Sequence, residues 1–112
     1  MHEVSLVHAL FDEVDRHAAA HPGGRVREVR VRIGAAAGVD PGLFETAFAF
    51  TKDERGHPVA ALRVVEEPER WACGDCGSAI PAGGPLSCAC GGAPRLVSGD
   101  ALVLDHLSLE VP

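Results

Sequence analysis

The sequence predicts an α+β fold: a small mixed sheet of about three strands with two helices on one face, and a separate cysteine-bearing module inserted ahead of the last strand. Three observations predict it. Apolar residues recur at helical steps in two segments. They alternate with polar residues in three others. Four cysteines gather between positions 73 and 90, where neither period survives.

Residues 5 to 20 read as an amphipathic helix, because Leu6, Val7, Leu10, Phe11, Val14 and Ala18 recur at three- and four-residue steps. Ser5 is the expected N-cap, and the run HPGG, His21 to Gly24, stops the helix. In RVREVRVRIG, Val29, Val31 and Ile33 alternate with Arg30 and Arg32, the period of a half-buried strand. A second helix follows. Asp40 caps it, Pro41 takes its first position, Leu43, Phe44, Ala47 and Phe48 form its apolar stripe, and Gly56 ends it. PVAALRVVEEP is a second strand with Ala60, Leu62 and Val64 on one face. From Trp71 to about Leu96 glycine, alanine, proline and cysteine dominate, without helical or strand period. DALVLDHLSLEV closes the chain as a long strand. Its apolar positions change parity, from Leu102 and Leu104 to Leu107, Leu109 and Val111, so a bulge is expected at Asp105–His106. This strand must return to the sheet. The expected division is therefore an α/β domain of residues 1–69 with 97–112, and an inserted module of residues 70–96.

Composition excludes several functions. The chain of 112 residues carries a net charge of −6, where a phosphate-binding surface calls for a basic excess, so nucleic acid is not the expected partner. No apolar run approaches the roughly 18 residues of a membrane span. No basic region followed by an apolar core marks an export signal, and a cytoplasmic location is expected. There is no glycine-rich phosphate loop and no Ser-His-Asp set, so catalysis is not expected.

The module reads WACGDCGSAIPAGGPLSCACGGAP. Cys73 and Cys76 form a C-x-x-C knuckle, and Gly77 lets its turn close. Cys88 and Cys90 form a C-x-C, again followed by glycine. Two such loops facing each other make a zinc-ribbon-like zinc knuckle, a tetrahedral four-thiolate site. Zinc is the expected occupant, because soft thiolates suit it. With all four positions filled by protein the site is structural. The module has few large apolar residues, so metal binding supplies much of its folding free energy, on the order of 10 kcal/mol. The single spacer of the C-x-C makes a tighter chelate and leaves Cys88 the weakest assignment. A thiol redox pair at Cys73 and Cys76 is the rival reading.

With both ends in view, the chain resembles the HypA/HybF family of hydrogenase maturation factors. The resemblance runs through MHEVSL, VREVRVRIG, LFETAFAFTKD, VVEEPERWACGDCG and SGDALVLDHLSLEV. It implies a nickel metallochaperone with a structural zinc domain, serving [NiFe]-hydrogenase or another nickel enzyme such as urease. It also implies a HypB-type GTPase and the hydrogenase large subunit as partners, and leaves room for a homo-oligomer. One departure stands out: the family's second pair is usually C-x-x-C, and its first cysteine falls on Ser87 here, with Cys88 one place late.

The N-terminus has its own metal logic. Ni(II) favours a plane of nitrogens. The Met1 α-amine and the His2 amide nitrogen close a five-membered ring, and the His2 imidazole joins the same ion. The fourth donor is the Glu3 amide, its carboxylate or an outside group. The resemblance supports His2 as the nickel ligand, with Met1 and Glu3 assisting. A zinc-ribbon module for nucleic acid or protein is the alternative function. Glu13, His17 and His21 step by four along one helical face and read as a solvated face. His8, His57 and His106 have no spaced partners. Arg25, Arg27, Arg30 and Arg32 make a basic stripe read as a solubilising strand face.

Overall fold

A computed structural model describes residues 2–112. The chain runs α1 (His2–Ala18), β1 (Arg25–Gly34), α2 (Pro41–Thr51), β2 (Ala61–Glu67), β3 (Arg70–Cys73), β4 (Ala79–Ile80), β5 (Pro94–Ser98) and β6 (Leu102–Glu110). Six strands form two sheets of three, ordered β2-β1-β6 and β4-β3-β5. The first is mixed: β1 pairs parallel with β2 and antiparallel with β6. This is the α+β architecture with a projecting cysteine module, and the molecule is elongated, 57 × 27 × 17 Å.

The core lies between the helices and the first sheet. Val7, Leu10, Phe11 and Val14 of α1 meet Val26, Val29, Val31 and Ile33 of β1 and Phe44, Ala47 and Phe48 of α2. Phe11 and Phe48 stack with ring centroids 5.0 Å apart, which joins the two helices. On β6, Leu102, Leu104, Leu107 and Leu109 pack against this core. The parity change among them is a bulge: Val31 pairs Leu104 while Arg30 pairs His106, so Asp105 is the extra residue.

Two element boundaries differ from expectation. Ser5 is not an N-cap, because α1 already begins at His2; Glu3 in the first turn suits the positive end of the helix dipole. The second helix starts as expected, with Asp40 Oδ1 accepting from Leu43 N–H at 3.1 Å and Pro41 in the first turn. It ends at Thr51 rather than at Gly56. Tight turns follow, and Gly56 serves them with a φ of +83°. The cysteine module also holds three short strands where none was expected. Runs of two to five residues are too short to show a period.

The arginine stripe of β1 is largely neutralised. Arg27 lies 4.0 Å from Glu110, Arg30 3.7 Å from Glu28, and Arg32 3.5 Å from Glu67 and 3.2 Å from Asp105. It is a mixed-charge sheet face rather than a basic patch.

Candidate metal centre

Cys73 ends β3, and its N–H donates to Ser78 O at 2.8 Å. Gly77, with a φ of +78°, turns the chain so that its N–H reaches Cys73 O at 3.0 Å. The second loop repeats the device: Gly91, φ +81°, donates to Cys88 O at 2.9 Å. Gly74 N–H to Ala93 O, at 2.7 Å, stitches the loops together. Gly92 comes so close that a Cβ there would lie 2.6 Å from Cys73 Sγ.

These turns converge the four thiols. Among the described residues, Cys73, Cys76, Cys88 and Cys90 are the group whose ligand atoms all lie within 4.8 Å of one another. Cys73 Sγ is 3.4 Å from Cys90 Sγ, and Cys76 Sγ is 3.5 Å from Cys88 Sγ. Zinc–sulfur bonds of about 2.3 Å at tetrahedral angles place sulfurs about 3.8 Å apart, so the set fits such an ion. The C-x-C spacing does not hold Cys88 away from the others.

The surroundings favour thiolates on the first pair. Hydrogen bonds from the Cys76 and Asp75 backbone, then from Cys90, lower the Cys73 thiol. Ser78, through its hydroxyl and then its backbone, holds Cys76 down to about 6. At Cys90 the Gly92 N–H pulls downward, but the crowded Cys73, Cys88 and Cys76 sulfurs prevail and push it up to about 12. Four like-charged sulfurs resist ionising together, and a divalent cation is the natural relief.

His2 is exposed at the first position of α1. Its amide and that of Glu3 fall among the first four of a helix, which have no acceptor within it. Both stay available to other partners. The Glu3 carboxylate reaches the Asp40 backbone N–H at 3.5 Å, a contact that sequence spacing does not reveal. Met1, the third expected participant, lies outside the described residues.

His8 and His57, without partners in the sequence, find them in space. Arg55 Nη2 donates to Asp12 Oδ1 at 2.7 Å and Asp15 Oδ2 at 2.9 Å, and its Nη1 lies 3.4 Å from His8 Nδ1. His57 Nε2 donates to Asp15 Oδ1 at 2.5 Å while its ring stacks on Phe11. This network clamps α1 to the turn after α2. Its groups are committed to each other, so it is structural.

A family model described as "Hydrogenase/urease nickel incorporation, metallochaperone, hypA" matches residues 1–109. The chain is 34% identical over 114 residues to the hydrogenase maturation factor HypA of Shewanella halifaxensis, covering 98% of each. It is 38% identical over 76 residues to that of Shewanella sp. (strain MR-7), covering 68% of this chain and 64% of that one. A solution structure of a HypA protein superposes with a TM-score of 0.80 at 25% identity, covering 100% of this chain and 98% of that one.

Proposed function

We propose, for this chain, which belongs to the HypA family of nickel-incorporation metallochaperones, that its metal chemistry is split between two ends. His2, with Met1 and Glu3 assisting, carries Ni(II) as cargo. Cys73, Cys76, Cys88 and Cys90 hold a structural Zn(II) in a module of residues 70–96, apart from an α/β domain of residues 1–69 with 97–112. The chain is a chaperone rather than an enzyme: the work is metal transfer.

The observation that carries this reading is the contrast in donor sets. The four thiol sulfurs lie within 4.8 Å of one another, a set that would surround an ion from four sides. Such a closed site releases slowly and suits a structural role. His2 stands exposed on the first turn of a helix, and among the described residues no group of three or more ligand side chains includes it. The positive end of the α1 dipole opposes a cation there, and Glu3 offsets it. A loosely held ion is one that can be handed on.

The recipient is the large subunit of [NiFe]-hydrogenase, or a urease, and the working partner is a HypB-type GTPase, in the cytoplasm. Among the described residues no helix is long and apolar enough to cross a membrane. The deciding experiment is nickel titration of untagged, zinc-loaded protein, compared with His2→Ala and with chain acetylated at its α-amine. Both changes should abolish the tighter binding event while leaving zinc content at one ion per chain. Undiminished nickel binding in His2→Ala would overturn the reading.

A further inference from the structure

We propose that His17, His21 and His106 form a second, shallow site for a borderline divalent cation, with Ni(II) the ion of interest. The site lies at the C-terminal end of α1, the opposite end of that helix from His2. The choice of Ni(II) rests on the proposed function; the site itself rests on geometry.

An open pocket of about 480 Å³ between the end of α1 and β6 is lined by His17, Ala20, His21, Leu104, Asp105 and His106. Half of the six histidines in the chain thus share one concavity. Unlike His8 and His57, they are not tied into the fold. Among the described residues no side chain partners the rings of His17 or His21, and His106 Nε2 meets Ser108 Oγ of its own strand at 3.1 Å. All three are exposed.

Chain geometry explains how they come together. His17 stands in the last turn of α1, His21 in the tight turn that follows it, and both line the pocket. α1 ends at Ala18, but the coil tightens instead of unwinding: Ala20 N–H reaches His17 O at 3.3 Å and His21 N–H reaches Ala18 O at 2.9 Å. His106 arrives through the β6 bulge. Because Asp105 is the extra residue, Leu104 and Leu107 both pack on the core, and Asp105 and His106 fall together at the pocket.

Electrostatics favour a cation. The negative end of the α1 dipole lies here, and Asp105 adds a carboxylate, which it shares with Arg32 Nε at 3.2 Å. Imidazole nitrogens suit Ni(II), Zn(II) and Cu(II), with water completing the shell. The three rings line the pocket without converging, since among the described residues only the cysteines bring three or more ligand atoms within 4.8 Å of one another. Rotation of exposed side chains closes the site, and the entropy of ordering them falls at the moment of binding. The affinity is therefore low, suited to collecting an ion rather than storing it.

Untagged, zinc-loaded chain titrated with nickel chloride tests this, followed by calorimetry and by backbone amide spectra. The His2→Ala variant should retain a weaker binding event. Paramagnetic Ni(II) in that event should broaden amides of residues 18–21 and 104–107. A His17→Gln, His106→Gln double variant on the native background should lose that broadening and the weaker event, and keep the tighter one that depends on His2. These exposed substitutions spare the core, which far-UV circular dichroism checks. Broadening confined to the N-terminus, or a weaker event untouched by the double variant, would overturn the second site. A tight event that survives His2→Ala would overturn the proposed function and leave this site standing.

Discussion

Glu3 and Asp40 lead two different helices, and the Glu3 carboxylate accepts a hydrogen bond from the Asp40 backbone N–H at 3.5 Å. The start of α1 is thereby tied to the start of α2, which Asp40 itself caps. Glu3 so serves both as an anchor and as a negative charge beside His2. A unit charge a few ångströms from a cation at a wet surface is worth about 1 kcal/mol. Glu3→Gln keeps an acceptor for Asp40 but removes the charge, and should weaken nickel binding about fivefold at unchanged stability. Calorimetry paired with urea denaturation checks it, and equal affinity would make Glu3 an anchor alone.

Asp15 supplies the acid sensitivity of the helical layer. Burial raises its carboxyl, but hydrogen bonds from His57 and then Arg55, with their charges, outweigh burial and hold it below its usual value of 3.8. The folded chain therefore binds this proton less readily than the unfolded one. The contribution is present above the unfolded value and fades as pH falls through the folded one. Asp15 is nearly half exposed, so screening limits the effect to about 1 kcal/mol. Asp15→Asn should lose about that much at neutral pH, and the gap to the parent should close as pH falls through the folded value. Urea midpoints followed from neutral pH into that acid range measure it.

Elements long enough to show a period were legible in the sequence. β1, α2 and the β6 bulge at Asp105 follow directly from the spacing of Val29, Phe44 and Leu107 with their neighbours. The start of α1 was not, because Ser5 looks like a cap and only the fold shows helix running back to His2. The strands at Ala79–Ile80 and Pro94–Ser98 carry too few residues to alternate. The four cysteines were legible as a set from their spacing. That Cys88 reaches the others despite its single spacer depends on the Gly91 turn and the Gly74–Ala93 stitch, which only the fold reveals. The same holds for His106. The pocket it shares with His17 and His21 joins residues most of the chain length apart and leaves no local trace.

Gly34 sits where β1 passes the strand crossing between the sheets. A Cβ at this position would collide with the Gly99 carbonyl, and one at Gly99 would lie 2.6 Å from Pro68 O. Three backbone bonds knit this crossing: Gly34 N–H to Ala101 O at 2.9 Å, Ala35 N–H to Glu67 O at 2.8 Å, and Ala36 N–H to Gly99 O at 2.7 Å. Backbone packed on backbone has no flexible side chain to yield. Gly34→Ala should cost about 3 kcal/mol. Gly84→Ala, with open space around it, should stay within about 0.5 kcal/mol of the parent. Chemical denaturation of the two variants separates a specific clash from a general loss of glycine.

Trp71 reports on the cysteine module alone. It is the only tryptophan in a chain without tyrosine, and it lies on β3 two residues before Cys73. Its indole N–H donates to Glu69 at 3.0 Å, and its strand partners are Ile80 and Leu96. The helices pack on the other sheet, around Phe11, Phe44 and Phe48. The small sheet has little apolar burial of its own, so a bound ion should supply most of its stability, on the order of 10 kcal/mol. Removing zinc with a strong chelator should expose Trp71 and shift its emission to longer wavelength. The helical far-UV signal should persist, because α1 and α2 need only β1, β2 and β6 to bury their apolar faces. Cys88→Ser should produce the same shift at lower chelator concentration. If the helical signal collapsed together with the tryptophan change, the two sheets would be one cooperative unit, and the metal would hold up the whole chain.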